Sequence, residues 1–461
     1  MTLPGVLSSA CAEVREAGPD DLVAGVAARF VARPADVAEA AAVMRAAADE
    51  GLTALPRGTG TRLAWGSPPA SCDLVIDTRG LNRVLEHAAG DLVVRVQAGV
   101  GLDQLAATLA AAGQRLALDP PWPGTIGGLL ATGVAGPLRL RYGTPRDLVI
   151  GITVVRADGT VASSGGKVVK NVAGYDLGKL FAGSYGTLGL IAEAAFRLHP
   201  LPAATAFVTL DAADPDAAQA AVAAAADSPL APSAAEIDCP ARGEPVRVGV
   251  LLEGDADGVA ERCARLTRLL GDGASASPTA PAWWGRGAAA EPDGTVIRIG
   301  FWAEALPAVL AAVAAAASDA GLDPLVGGSA AAGVIHAAVP GDAPAAAVAR
   351  FVDRLRAALG GPAVAPAAAA ELAGAVSGPG RLVSAAAASP SAAVGVPAAT
   401  SPASADVPPS WASAVVLHAP PEVRAAVDMW GPVPSPGLMR AVKAQFDPGH
   451  RMAPGRFAGG I

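Results

Sequence analysis

Three glycine-bearing stretches crowd into residues 57–191, each next to an apolar run, and they constrain the fold more than any other feature of the chain. The first is Arg57-Gly58-Thr59-Gly60-Thr61, which follows a short strand-like segment at residues 53–56. Alternating glycines let backbone N–H groups converge on an anion, and Thr59 and Thr61 add hydroxyls. The second runs from Asp119-Pro120-Pro121-Trp122-Pro123 into Gly124-Thr125-Ile126-Gly127-Gly128 and on through Gly133 to Gly136. Its prolines stiffen the approach, and its glycine pairs let the main chain lie against a flat or charged ligand. The third is Lys170-Asn171-Val172-Ala173-Gly174-Tyr175-Asp176-Leu177, followed by residues 183–191 with Gly183, Gly186 and Gly189. One such loop alone is more often a plain turn than a phosphate cradle. Their joint occurrence within one domain matters more than any one of them.

The surroundings read as mixed α/β. Val37, Ala40, Ala41, Met44 and Ala48 fall on one helical face within residues 34–51, and Gly51 supplies a stop. Strands are expected at 74–76, 92–96 and 148–155, the last turned by Asp158-Gly159 into 160–162, and a helix at 102–112. After Pro200 two successive strand–helix–strand passages predict an α+β layer of ferredoxin-like type. Its helices are expected at 214–226, 259–270, 306–320 and 344–359. Residues 360–410 are rich in Ala, Pro and Ser and read as a flexible linker. The expected organisation is an N-terminal segment (1–30), a first domain (31–200), an α+β cap (201–359), the linker (360–410) and a C-terminal return segment (411–461).

Length supports more than one core, since 461 residues is two to three times a typical domain. The hydrophobic fraction is 52% with only 4% aromatic, so small aliphatic side chains must fill the interior. A mean hydropathy of +0.40 invites a membrane reading. The apolar run 306–318 is short for a span, however, and 382–406 is broken by prolines. The first residues lack a basic segment followed by an apolar one, so the expected compartment is the cytoplasm, with any membrane association made through partners. A net charge of −8 without a basic cluster argues against nucleic acid. Cys11, Cys72, Cys239 and Cys263 never approach a C-x-x-C spacing, and the five histidines are as scattered. Neither an iron–sulfur cluster held by this chain alone nor a metal site is expected.

Taken in order, R-G-T-G-T, P-x-x-x-T-I-G-G, Y-G-x-x-R-D-L-V-x-G (142–151), N-x-x-G-Y-D-L and G-S-x-G-T-L-G-L-I resemble the FAD-binding domain of the vanillyl-alcohol-oxidase, or PCMH, type over residues 31–200. The terminal D-P-x-x-x-x-x-P-G-R-F extends the likeness to the last fifty residues. Within that family the K-N-V-A-G-Y-D-L variant is similar to the FAD-binding subunits of bacterial glycolate oxidases. The resemblance implies an α+β, two-subdomain PCMH-type fold with a ferredoxin-like cap. It further implies FAD held by Arg57, Gly58, Thr59, Gly60 and Thr61 on one wall and Pro120, Thr125, Ile126, Gly127 and Gly128 on the other. Gly136 would leave room beside the cofactor, and Gly189 and Ile191 would meet its adenine end. Some relatives tether the flavin through a histidine in the first loop; that loop lacks one here, so the FAD is expected to be non-covalent.

The resemblance also implies a role in oxidising glycolate to glyoxylate alongside a second flavoprotein subunit and an iron–sulfur subunit. The His-rich cap motif of relatives that oxidise hydroxy acids themselves is absent. Two other readings stay open: a self-contained FAD enzyme acting on another small hydroxy acid such as D-lactate, and a non-catalytic flavin-binding assembly subunit. No catalytic base stands out. Asn171 and Tyr175 could reach the flavin or serve as loop anchors, and His336 could face the flavin or be an ordinary strand histidine. Trp283 and Trp284 could roof the site or simply cover a loop. Lys443 reads as a dipole partner at a helix end.

Overall fold

The computed structural model describes residues 3–166, 176–240, 243–285, 293–360 and 412–461. The first unit of structure is a small sheet in which Phe30–Ala32, Leu74–Asp77 and Ala54–Arg57 run parallel, with Val14–Glu16 antiparallel at one edge. Parallel strands need a crossover, and the helix Val37–Asp49 provides the one from Phe30–Ala32 to Ala54–Arg57, which flank Leu74–Asp77. It begins where the Asp36 carboxylate accepts the Glu39 N–H at 2.9 Å. Ala40, Ala41, Met44 and Ala47 turn inward as the periodicity requires, and Gly51 leaves the helix with φ +66°.

A second, five-stranded antiparallel sheet has the order Val84–Ala88, Val93–Gln97, Leu190–Arg197, Val149–Val155, Val161–Gly165. Its central strand, Leu190–Arg197, is buried along nearly its whole length. Burial on both faces, with Glu193 paired to Arg95 at its middle, leaves no alternation, which is why the strand escapes a periodicity reading. Val155, Leu190 and Ala192 share one core with Ala40, Met44 and Leu74, so the two sheets pack through the crossover helix.

The third sheet has eight antiparallel strands. It is built from two consecutive β-α-β-β-α-β units set edge to edge. The first comprises Ala204–Ala212, helix Pro215–Ala226, Ala234–Cys239, Val246–Gly254, helix Ala256–Leu270 and Ser275–Ser277. The second comprises Thr295–Phe301, helix Leu306–Ala320, Leu325–Ser329, Val334–Val339, helix Ala345–Leu359 and Ala412–His418. In each, the fourth strand lies outermost and the second innermost, the ferredoxin-like order, and the units join where Ala234–Cys239 pairs with Leu325–Ser329. The ferredoxin-like expectation therefore applies twice. The strand closing the second unit, Ala412–His418, comes from beyond the Ala/Pro-rich stretch, which lies outside the described residues along with Lys170–Tyr175 of the third loop.

Period-two alternation divides the faces of this sheet. Ala235, Ile237, Val248, Val250, Leu252, Ile335 and Ala337 join the helices in the main core. Each large buried side chain there contributes about 1.5–3 kcal/mol. Residues Ala303–Ala320 are long and apolar enough to cross a membrane, a longer run than the sequence suggests, yet Leu306, Val309, Val313 and Ala317 are buried in that core. The opposite face carries Glu236, Glu253 and His336 toward the first two sheets: Arg115 pairs with Glu253 at 2.7 Å, and Trp122 meets the His336 ring edge-on at 6.3 Å.

The C-terminal segment returns to the first sheet. Ala54 donates to the Arg451 carbonyl, and Ala453 donates back to the Ala54 carbonyl. Lys443 stands in the last turn of the helix Pro436–Phe446, as expected of a dipole partner, and is also buried. Its Nζ donates to Asp447 Oδ2 and the Thr187 carbonyl, both at 2.7 Å, and to the Met452 carbonyl at 2.8 Å. Three acceptors around one ammonium tie the terminal helix to the glycine-rich stretch before Leu190–Arg197.

Candidate cofactor cleft

The loop leaving Ala54–Arg57 and the helix Ile126–Thr132 form the walls of a cleft. Arg57, Gly58, Thr59, Gly60, Thr61, Thr125, Gly127, Gly128, Gly189 and Ile191 line it, with Arg62 and Arg456. The walls approach so closely that a Cβ on Gly58 would lie 2.3 Å from Thr125 Oγ1, and one on Gly127 would lie 2.9 Å from the Ala98 methyl. Only glycine fits at these two positions. Thr59, Gly60 and Thr61 donate their N–H groups to no partner among the described residues, which leaves the first loop open to an anion.

The second wall differs from expectation. Ile126 N–H is held by the Val100 carbonyl and Gly127 N–H by the Ala98 carbonyl, at 3.0 and 2.7 Å. The Ile126 side chain is fully buried in the core. These residues anchor the wall instead of offering donors to the cleft. Thr125 caps the helix, its Oγ1 accepting the Gly128 N–H at 3.3 Å. Pro120 and Gly136 lie outside this cleft: Pro120 borders an apolar groove with Leu102 and Leu118, and Gly136 lines a separate small cavity. A Cβ on Gly136 would lie 1.9 Å from the Asp119 carbonyl oxygen, so the close approach it permits is to backbone. Asn171 and Tyr175 fall outside the described residues.

Charge is also distributed differently. Arg57 is buried against two carboxylates, Asp21 at 2.8 Å and Asp77 at 3.7 Å. Arg15 in turn holds Asp21 and Arg79 holds Asp77. Hydrogen bonds from Arg15, with further help from Gly18 and Arg57, keep the Asp21 carboxyl well below its usual range. Arg57 thus braces the loop, and its charge is already neutralised.

The uncompensated cations are Arg62 and Arg456. Arg62 donates to the Trp122 carbonyl at 2.9 Å, and Arg456 to the Leu63 and Arg62 carbonyls at 2.8 and 3.2 Å. Neither meets a carboxylate among the described residues, and Arg62 Nε and Arg456 Nη1 are buried without a partner. Burial pulls each guanidinium down to about 10, still protonated at neutral pH. Two buried cations without counter-charges are costly, and an anionic ligand in the cleft would relieve that cost. Nothing in the first loop's pattern marks Arg62, which merely follows it. Arg456 sits in the terminal motif nearly four hundred residues away, and only the fold brings it here.

A pyrophosphate suits this cleft on three counts: free loop N–H groups, the Thr59 hydroxyl and two unneutralised arginines. Cys11, Cys72 and Cys263 are buried elsewhere, and among the described residues no three His, Cys, Asp or Glu side chains gather into a metal-binding group. Trp283 and Trp284 pack over Gly249 and Phe207 on the cap sheet and act as loop cover.

Comparison with known proteins agrees with this geometry. Residues 28–165 match the family described as FAD binding domain. The chain is 38% identical over 178 residues to glycolate oxidase subunit GlcD of Bacillus subtilis, covering 37% of each chain. It is 37% identical over 174 residues to D-lactate dehydrogenase of Archaeoglobus fulgidus, covering 37% of this chain and 38% of that one. To glycolate oxidase subunit GlcE of Escherichia coli it is 37% identical over 152 residues, or 32% of this chain and 43% of the relative. The matched stretch spans less than half of each of these relatives. Among solved structures, an alkyldihydroxyacetonephosphate synthase superposes with a TM-score of 0.63 at 16% identity, covering 93% of this chain and 77% of that one. The fold is therefore the α+β PCMH type, and residues 28–165 carry an FAD-binding domain with FAD as its cofactor.

Proposed function

We propose that this chain is an FAD-dependent oxidoreductase acting on the CH–OH group of small 2-hydroxy acids, and specifically the FAD-binding subunit of a glycolate oxidase complex. The observation that carries the reading is the pair of buried, unneutralised arginines, Arg62 and Arg456, in a glycine-walled cleft. Bound FAD would supply a two-electron acceptor. The chain's own residues would bind its pyrophosphate through Thr59, Gly60, Thr61, Arg62 and Arg456, non-covalently, with Gly189 and Ile191 bordering the far end.

The complex reading is supported by the glycolate oxidase subunits among the relatives and by the scattered cysteines, which leave cluster chemistry to a partner. In it, a second flavoprotein and an iron–sulfur subunit carry electrons onward from glycolate as glyoxylate forms, in the cytoplasm. A self-contained enzyme acting on D-lactate is the second reading, supported by the D-lactate dehydrogenase likeness.

The test is the visible spectrum of the purified chain, mixed anaerobically with glycolate or D-lactate, alone and with candidate partners. Flavin bleaching that needs partners supports the complex, and bleaching by the chain alone supports the self-contained enzyme. Flavin that neither acid bleaches, with or without partners, overturns both and leaves an assembly role.

A further inference from the structure

A second, small cavity lies where the two halves of the eight-stranded sheet meet. At that seam Ile237 pairs with Gly328 and Asp238 with Gly327, so the inner strand of the second unit places no bulky side chains there. Glu236 and His336 project into the depression from neighbouring strands, and the 135–139 segment of the first domain closes it with Gly136 and Arg139. Ser329 donates to Glu236 Oε1 at 2.5 Å across the junction of the two units. The cavity is thus built from both halves of the cap and one loop of the FAD-binding domain.

Its polar groups are unusual for a buried place. Arg139 is fixed by the Ala135 and Gly136 carbonyls through Nη2 and Nε, leaving Nη1 without a partner among the described residues. Glu236 is pushed up to about 8 by burial, so it carries a proton at neutral pH and does not neutralise Arg139. Asp119 is raised to about 7 by burial and is occupied with the Leu138 N–H at 3.1 Å. His336 is held near 3 by burial and by Arg139 and Arg298, so its imidazole stays neutral and keeps an acceptor nitrogen. No hydrogen bond to either ring nitrogen is made by a described residue. A guanidinium with a free Nη1 beside a neutral imidazole and a protonated carboxyl matches a small anion bearing a hydroxyl.

The position fits the same ligand. Trp122 touches His336 edge-on at 6.3 Å and Trp65 at 4.8 Å, while its carbonyl accepts from Arg62 in the cofactor cleft. Trp122 therefore links His336 of the cavity to Arg62 of the cofactor cleft.

Resting on the oxidoreductase reading above, we propose that this cavity is the substrate pocket and takes a small 2-hydroxymonocarboxylate. Arg139 binds the carboxylate, His336 accepts a hydrogen bond from the 2-hydroxyl, and the Glu236–Ser329 pair closes the far side.

The experiment is calorimetric titration of the FAD-loaded protein with oxalate, an oxidation-resistant two-carbon acid anion. Wild type, Arg139→Gln, Arg139→Lys and His336→Asn are compared, with flavin absorbance and thermal unfolding as folding controls. Oxalate is expected to bind wild type, to bind Arg139→Gln about 10- to 100-fold more weakly, as loss of a charged hydrogen bond implies, and to recover affinity in Arg139→Lys. His336→Asn should raise the KM for glycolate or D-lactate with little change in flavin content. Equal oxalate affinity in wild type, Arg139→Gln and His336→Asn, or no binding to wild type, overturns the pocket. Flavin bleaching by a hydroxy acid with unchanged KM in both variants overturns the pocket and leaves the oxidoreductase reading standing. Arginine-dependent oxalate binding without bleaching by any hydroxy acid does the reverse.

Discussion

The two cavities of this molecule are built from different material. The cofactor cleft is made of loops: glycines with no room for a Cβ, free backbone N–H groups and arginines lacking counter-charges. The seam cavity is made of strands: a carboxyl, an imidazole and a hydroxyl raised from a sheet whose other face is ordinary hydrophobic core. Loop sites need special backbone conformations and so leave a pattern in consecutive residues. Strand sites need only one polar residue where alternation would place any residue, and they leave almost no local pattern.

Substitution at the close approaches should separate the two sites most sharply. Gly58→Val and Gly127→Val are expected to abolish FAD retention, because even a Cβ at these positions would meet Thr125 or Ala98. The flavin absorbance of the purified variants is the readout. Retention by both would mean that the cleft walls can part and that the cradle lies elsewhere.

Next in size is the clip that ties the terminal segment to the cleft. Lys443→Met leaves Asp447 buried without its cation, and breaking such a pair costs about 3–5 kcal/mol. Denaturant unfolding should show a loss on that scale, and a loss below about 1 kcal/mol would return Lys443 to the minor role its sequence position suggests.

A smaller effect distinguishes the seam. The Glu236 carboxyl binds its proton more tightly folded than unfolded, its pKa rising from 4.5 to about 8. Its contribution to stability is therefore complete below about pH 4.5 and is lost progressively as the pH rises to about 8. Glu236→Gln, which cannot ionise, should flatten the decline in stability across that window. Asp119, also raised by burial, will retain part of the slope up to about pH 7. Parallel pH profiles for wild type and Glu236→Gln would place the carboxyl in a wetter setting than the seam.

The sequence reveals the cofactor cleft better than it reveals the chemistry facing it. The glycine loops, the crossover helix and the repeated strand–helix order are legible because each follows from backbone sterics or from a period of side chains. The central strand Leu190–Arg197 is hidden by its own uniform burial. Arg57, prominent in the motif, proves to be neutralised by Asp21 and Asp77, while the free charges belong to Arg62 and to Arg456 from the far end of the chain. The motif gives the location of the cradle but not which cation is unpaired, because pairing depends on residues distant in sequence. His336 is visible as a strand histidine, but Glu236, Ser329 and Arg139 become its neighbours only when two ferredoxin-like units are set edge to edge over the 135–139 loop.

The measurement that bears most directly on the account is the FAD affinity of wild type beside Arg62→Met and Arg456→Met, with unfolding followed on the same samples. If the two buried arginines are the counter-charges for the pyrophosphate, each variant will bind FAD at least about tenfold more weakly while still folding, as the loss of one charge-assisted contact requires. Unchanged FAD affinity in both folded variants would contradict the assignment of this cleft as the cofactor site.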